Sequence, residues 1–147
     1  MTIKRSIEQG FAKGENGLYD ILQNFNNMAC GATITVAEKD TDEWYVYIQL
    51  TDYLGNDLTV PACVKAYLAS DSDGLDINAT ALTTEMSIGS DGSIAVMTDN
   101  AAYLLVSEAD GDIDISMGYT TGAKNFYLVV VLPTGKRVVS DVIAFTA

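Results

Sequence analysis

Twenty carboxylates and no histidine define the chemistry open to this 147-residue chain. Without an imidazole there is no Ser-His-Asp triad, no Cys-His pair and no His-ligated zinc or iron. Two acid clusters have residue types suited to a hard cation: Asp71, Asp73 and Asp76, and Asp110, Asp112 and Asp114. Calcium takes oxygen ligands from loops, but the first cluster fails the EF-hand spacing. Gly74 directly follows Asp73, position 75 carries no acid and no Glu stands at the twelfth place. In the second cluster Asp112 and Asp114 alternate with Ile113 and Ile115, so both acids face solvent on one side of a strand. Both clusters therefore read as solvated turns and strand faces. Paired carboxylates also serve glycoside hydrolysis. Twenty acids produce many such pairs by chance, however, and a chain this small implies no deep pocket. The expectation is a protein that is not an enzyme and uses no metal or cofactor.

The remaining motifs are as sparse. Cys30 and Cys63 lie thirty-three positions apart with no CxxC spacing, so a four-thiolate zinc site is excluded. One disulfide stays open beside the stronger reading, two unrelated small hydrophobes in a protein assembled under reducing conditions. Gly89-Ser90-Asp91-Gly92 lacks the basic residue that a phosphate loop requires. Asn78-Ala79-Thr80 is a glycosylation sequon only in a secretory context. The first eight residues, Met1 to Glu8, have basic groups but no apolar stretch behind them, unlike a secretory signal. Trp44, Tyr45, Tyr47 and Tyr53 could line a sugar-binding face. Yet Trp44 shares its strand face with Val46, Ile48 and Leu50, a core position, and Tyr45 and Tyr47 point the other way, towards core or a subunit interface.

The elements that carry these residues divide by charge. The net charge is -12, yet residues 1–30 are neutral, with Lys4, Arg5 and Lys13 against Glu8, Glu15 and Asp20. From Gly31 onward five cations face 17 acids, and Ala66 to Ala123 holds ten acids with no Lys or Arg. Such a surface opposes binding to a nucleic-acid backbone and to anionic membrane lipid. No apolar run reaches membrane-spanning length. With 48% hydrophobic residues the chain can still build a core. Residues 1–32 read as an arm. Within it Leu18, Ile21, Leu22, Phe25 and Met28 fall at helical spacing, predicting a short amphipathic helix over about 17–28, capped by Asn16. Gly10, Gly14 and Gly17 break any longer helix. A helix this short needs something to pack on, either its own body or a partner.

From about residue 33 the period becomes two. Trp44 to Leu50, Ala62 to Leu68, Ile94 to Val96, Tyr103 to Val106 and Ile113 to Ile115 predict strands. Phe126 to Leu132 is apolar on both faces and predicts a central strand. Pro133-Thr134-Gly135 turns it back into a last strand from Arg137 to Phe145. Turn residues punctuate the series at Leu54 to Asp57, Asp71 to Gly74, Ser90 to Gly92 and Asp110 to Asp112. The fold expected is all-β: an Ig-like antiparallel β-sandwich of about seven strands over 33–147, preceded by the arm with its one helix.

Two stretches carry a family resemblance. Ser107 to Ile115 followed by Gly122 to Ser140 resembles the Ig-like structural proteins of tailed-phage virions. There a D-G turn leads into a strand, then G-A, an aromatic, a hydrophobic strand, a P-x-G hairpin and a terminal strand, whose place Asp141 to Phe145 fills. Tyr45 to Leu58 is similar to the opening of the same modules, a strand, x-D-x-x-G-N and a strand. The resemblance covers roughly 33–146. It implies a virion role, foremost capsid decoration, with no catalytic residues to carry over. The expected partners are the major capsid protein or another virion protein and further copies of the chain, on the capsid surface after synthesis in the host cytoplasm. Lys4, Arg5, Leu18, Ile21, Leu22 and Phe25 are the expected contact residues, and the acidic body would face solvent and keep particles apart. A neck, tail-connector or fibre protein and a receptor- or glycan-binding module are the alternatives.

Overall fold

The computed structural model describes residues 28–146. The predicted arm helix, apart from its last residue Met28, and its contact residues, Lys4, Arg5, Leu18, Ile21, Leu22 and Phe25, lie outside this range. The described chain is all-β, with ten strands: β1 (Gly31–Asp40), β2 (Glu43–Thr51), β3 (Cys63–Ala69), β4 (Thr84–Ile88), β5 (Ser93–Thr98), β6 (Ala102–Val106), β7 (Asp112–Gly118), β8 (Lys124–Val131), β9 (Arg137–Val139) and β10 (Ile143–Phe145). They form two antiparallel sheets. One runs β1-β2-β7-β4; the other runs β10-β8-β3-β6-β5, with β9 also paired to β8. Among the described residues no helix is long and apolar enough to cross a membrane.

Period-two alternation builds the core between the sheets. Val46, Ile48 and Leu50 of β2 and Ile113, Ile115 and Met117 of β7 are buried from one side. Val64, Ala66 and Leu68 of β3, Tyr103 and Leu105 of β6, and Phe126, Leu128 and Val130 of β8 meet them from the other. Trp44 packs edge-on against Phe145 of β10 at 6.5 Å between ring centres, joining the two sheets. Tyr119 and Phe126 complete that aromatic end, 5.3 Å apart. Trp44 is only half-buried, so it borders the core that it was expected to fill. Ala29 is fully buried, and β1 begins at Gly31, so the packed body takes in residues ahead of position 33.

Three strands beyond the expected seven have physical causes. β1 is an edge strand whose inward residues Ala32, Ile34 and Val36 are small or half-buried. β4 is five residues long with one fully buried side chain, Met86, and its pairing to β7 shifts register between Thr84 and Ser87. The predicted last strand is cut in two. Ser140 Oγ accepts the Leu128 N–H at 2.9 Å, the Ser140 N–H donates to Leu128 O at 2.9 Å, and pairing resumes at Ile143↔Phe126. A polar side chain thus does the work of a backbone carbonyl at a bulge.

β8 is central, flanked by β3 on one side and β9 and β10 on the other. Its second apolar face has a specific cover. The loop from Ser70 to Asn78 folds over Val129 and Val139, anchored by the Tyr67 hydroxyl and an Arg137 guanidinium N–H, which both donate to Gly74 O. Gly74 has φ +65°, and a Cβ there would stand 2.8 Å from Val129 Cγ2.

Candidate functional site

The outer faces of the two sheets differ in kind. On the four-stranded sheet, cross-strand pairing sets Tyr47 opposite Asp114, Tyr45 opposite Ser116 and Gln49 opposite Asp112. Tyr45 and Tyr47 therefore stand side by side on the outside, ring centres 6.3 Å apart, and Trp44 does not join them. Tyr53 is exposed in the connection after β2. At one corner the Lys39 ammonium donates to Glu43 at 2.6 Å and lies 5.4 Å from the Tyr45 ring centre. Ser116 Oγ donates to the other Glu43 oxygen at 2.6 Å. The Lys39 and Ser116 hydrogen bonds hold the Glu43 carboxyl below the usual range, and the Glu43 bond raises Lys39.

The opposite corner has acids without cations. Ser90 Oγ donates to Asp114 at 2.6 Å and sits 3.0 Å from an Asp91 oxygen. Partial burial, and then the neighbouring Asp110, Asp91, Asp114 and Asp57, push the Asp112 carboxyl above its ordinary value. This face can attract cations, yet among the described residues no three His, Cys, Asp or Glu side chains converge as metal ligands do.

The six-stranded sheet is the reverse. None of its strands contains Asp or Glu, and their charges are Lys65, Lys124 and Arg137. One outer row crosses five strands as Ala95, Leu104, Lys65, Val131 and Arg137. Val106 and Cys63 pair in the next row. The Ser70–Asn78 loop covers the far half of this face and, apart from the Arg137 bond to Gly74 O, leaves these rows open among the described residues. A shallow groove of about 310 Å³ runs among Cys63, Lys65, Leu104, Val131 and Pro133. Among the described residues Lys39–Glu43 is the only ion pair, so neither Lys65 nor Arg137 has a carboxylate partner there. The double apolarity of β8 and its missing acids were the available signals for this face.

The other candidate motifs are accounted for locally. Asp71 Oδ1 accepts the N–H groups of Leu75 and Asp76 at 3.0 and 3.1 Å, so it braces its own loop. Asn78 is buried, and its side-chain oxygen accepts the Thr80 N–H at 2.9 Å. Cys30 and Cys63 are both free; Cys63 is exposed on the outer face and does not pack in the core. A search of protein-family models and of curated proteins finds no match to the chain.

Proposed function

We propose that this chain is a non-enzymatic structural protein of a tailed-phage virion, a capsid decoration subunit with an Ig-like body and an adhesive N-terminal arm. The observation that supports the reading is the spatial order of the strands. β1-β2-β7-β4 facing β10-β8-β3-β6-β5 has the layout of a variable-type Ig sandwich, in which an A-B-E-D sheet faces G-F-C with two added strands. The path differs in the middle. β4 takes its place in the four-stranded sheet before β5 and β6 are added to the other, so the layout is Ig-like with a rewired central segment. Flat sheet faces, one acidic and one apolar with cations, suit adhesion to other proteins better than turnover of a small substrate. The quoted D-G and P-x-G segments fall at the β6–β7 and β8–β9 connections, where such a module would carry them.

In this reading the residues ahead of the packed body, 1–27, hold the subunit on the shell, with Lys4, Arg5, Leu18, Ile21, Leu22 and Phe25 in contact. Deleting residues 1–27, which spares the buried Ala29 and the Cys30 N–H bond to Thr51 O, should abolish binding to capsids and leave the far-UV β signal of the body intact. Quantitative gel bands of purified particles should give hundreds of copies, where a connector or fibre would give about a dozen or fewer. Unchanged occupancy after the deletion overturns the arm's role, and absence from particles overturns the virion reading.

A further inference from the structure

We propose that the open half of the six-stranded sheet is a docking face for a second copy of this chain, which presents its acidic four-stranded face to it. The inference stands on the two surfaces alone and holds whether or not the chain belongs to a virion.

Three observations carry it. The open rows combine half-buried apolar side chains, Leu104, Val106 and Val131, with Lys65 and Arg137, two cations that have no carboxylate partner among the described residues. An occupant must therefore bring carboxylates set among apolar or aromatic area. The four-stranded face of another copy has that composition: Asp112 and Asp114 stand beside Tyr45 and Tyr47 on neighbouring strands. Finally, that face crowds like charges around Asp112, so an incoming ammonium or guanidinium would relieve repulsion as well as form an ion pair.

Charge also selects the geometry. Two six-stranded faces placed together would oppose cation to cation, and two four-stranded faces would oppose acid to acid. A symmetric face-to-face dimer is disfavoured either way. Only the head-to-tail contact is complementary. Such contacts are heterologous, so they close into a ring or extend as a filament. Strand spacing gives the open rows an area of about 300 Å² per partner, well below the about 800 Å² per partner of a stable complex. A single contact is accordingly weak, and strength is gained where a ring closes, because its last contact forms within one assembly.

Cys63 provides the test because its exposed thiol lies in the docking face. The full chain carrying Cys30→Ser is prepared with Tyr47→Cys, or with Thr59→Cys as a control at an exposed position in the β2–β3 connection. Under mild oxidation in about 0.1 M salt, the Tyr47→Cys protein should form a ladder of oligomers about tenfold faster than the control. Peptide mapping should place the bonds between Cys63 and position 47. Adding Lys65→Glu and Arg137→Glu should bring the rate down to the control value, and adding Asp112→Lys and Asp114→Lys to that protein should restore it. Circular dichroism checks that each variant is folded. The proposal is overturned if Tyr47→Cys links no faster than the control, if charge reversal leaves the rate unchanged, or if only Cys63–Cys63 dimers form.

Discussion

Asp112 keeps a carboxylate where its charged form is disfavoured, by partial burial first and then by Asp110, Asp91, Asp114 and Asp57. The folded chain thus binds this proton more tightly than the unfolded chain does. The residue adds stability as pH falls and withdraws it as pH rises through the raised folded value. Asp112→Asn should raise Tm at about pH 7, with the gain shrinking towards about pH 4. A thermal melt series across that window checks both the sign and the trend. Glu43 has the opposite sign: its lowered value gives stability that is present above the ordinary carboxylate range and lost as pH falls through the folded one. Away from the surface, Tyr103 is fully buried and its hydroxyl donates to Glu85 at 2.6 Å. Burial and that acceptor push the phenol well above its usual value, so it stays neutral wherever the fold persists.

The Ser70–Asn78 loop shows what sequence patterns carry and what they omit. The alternations in β2, β3, β6, β7 and β8 were legible because each strand buries one face against the opposite sheet. The double apolarity of β8 was legible too, but central placement explains only part of it. Val129 is buried because a loop from elsewhere in the chain covers it, and no period in the sequence encodes a loop's landing place. The docking face was hidden for the same reason. Lys65, Leu104, Val131 and Arg137 are far apart in sequence and meet only through strand register. β4, with one buried residue and a bulge, offers too little alternation to detect. Gly74→Ala probes the loop directly. It forces a left-handed φ on a side chain that meets Val129 and Val139 at 2.8 and 2.9 Å. The expected loss is about 2 kcal/mol or more, read from urea unfolding, and an unchanged midpoint would show that the loop does not need this packing.

At the scale of the whole molecule, -12 is unevenly spread: six strands hold no acid, and among the described residues the carboxylates sit on the other sheet and in the loops. Repulsion among them works against the compact state, and salt screens it. Raising NaCl from about 0.01 to about 0.2 M should therefore raise Tm by several degrees. A flat or falling Tm would mean that self-repulsion does not limit stability. The pairing of β2 with β7 has a kinetic consequence. The β5–β6 and β8–β9 hairpins join neighbours in the chain and can close early, whereas β2 must wait for β7, which it meets at Glu43↔Gly118 and Gln49↔Asp112. All of β3 to β6 lies in the loop that this pairing closes. Closing so long a loop is entropically costly before its contacts form, which places refolding in the slow range of about milliseconds to seconds typical of sandwich topologies. Until that step β2 has only its hairpin partner β1 and an uncovered apolar face, so the nascent chain is most exposed to aggregation while its C-terminal half is still being made.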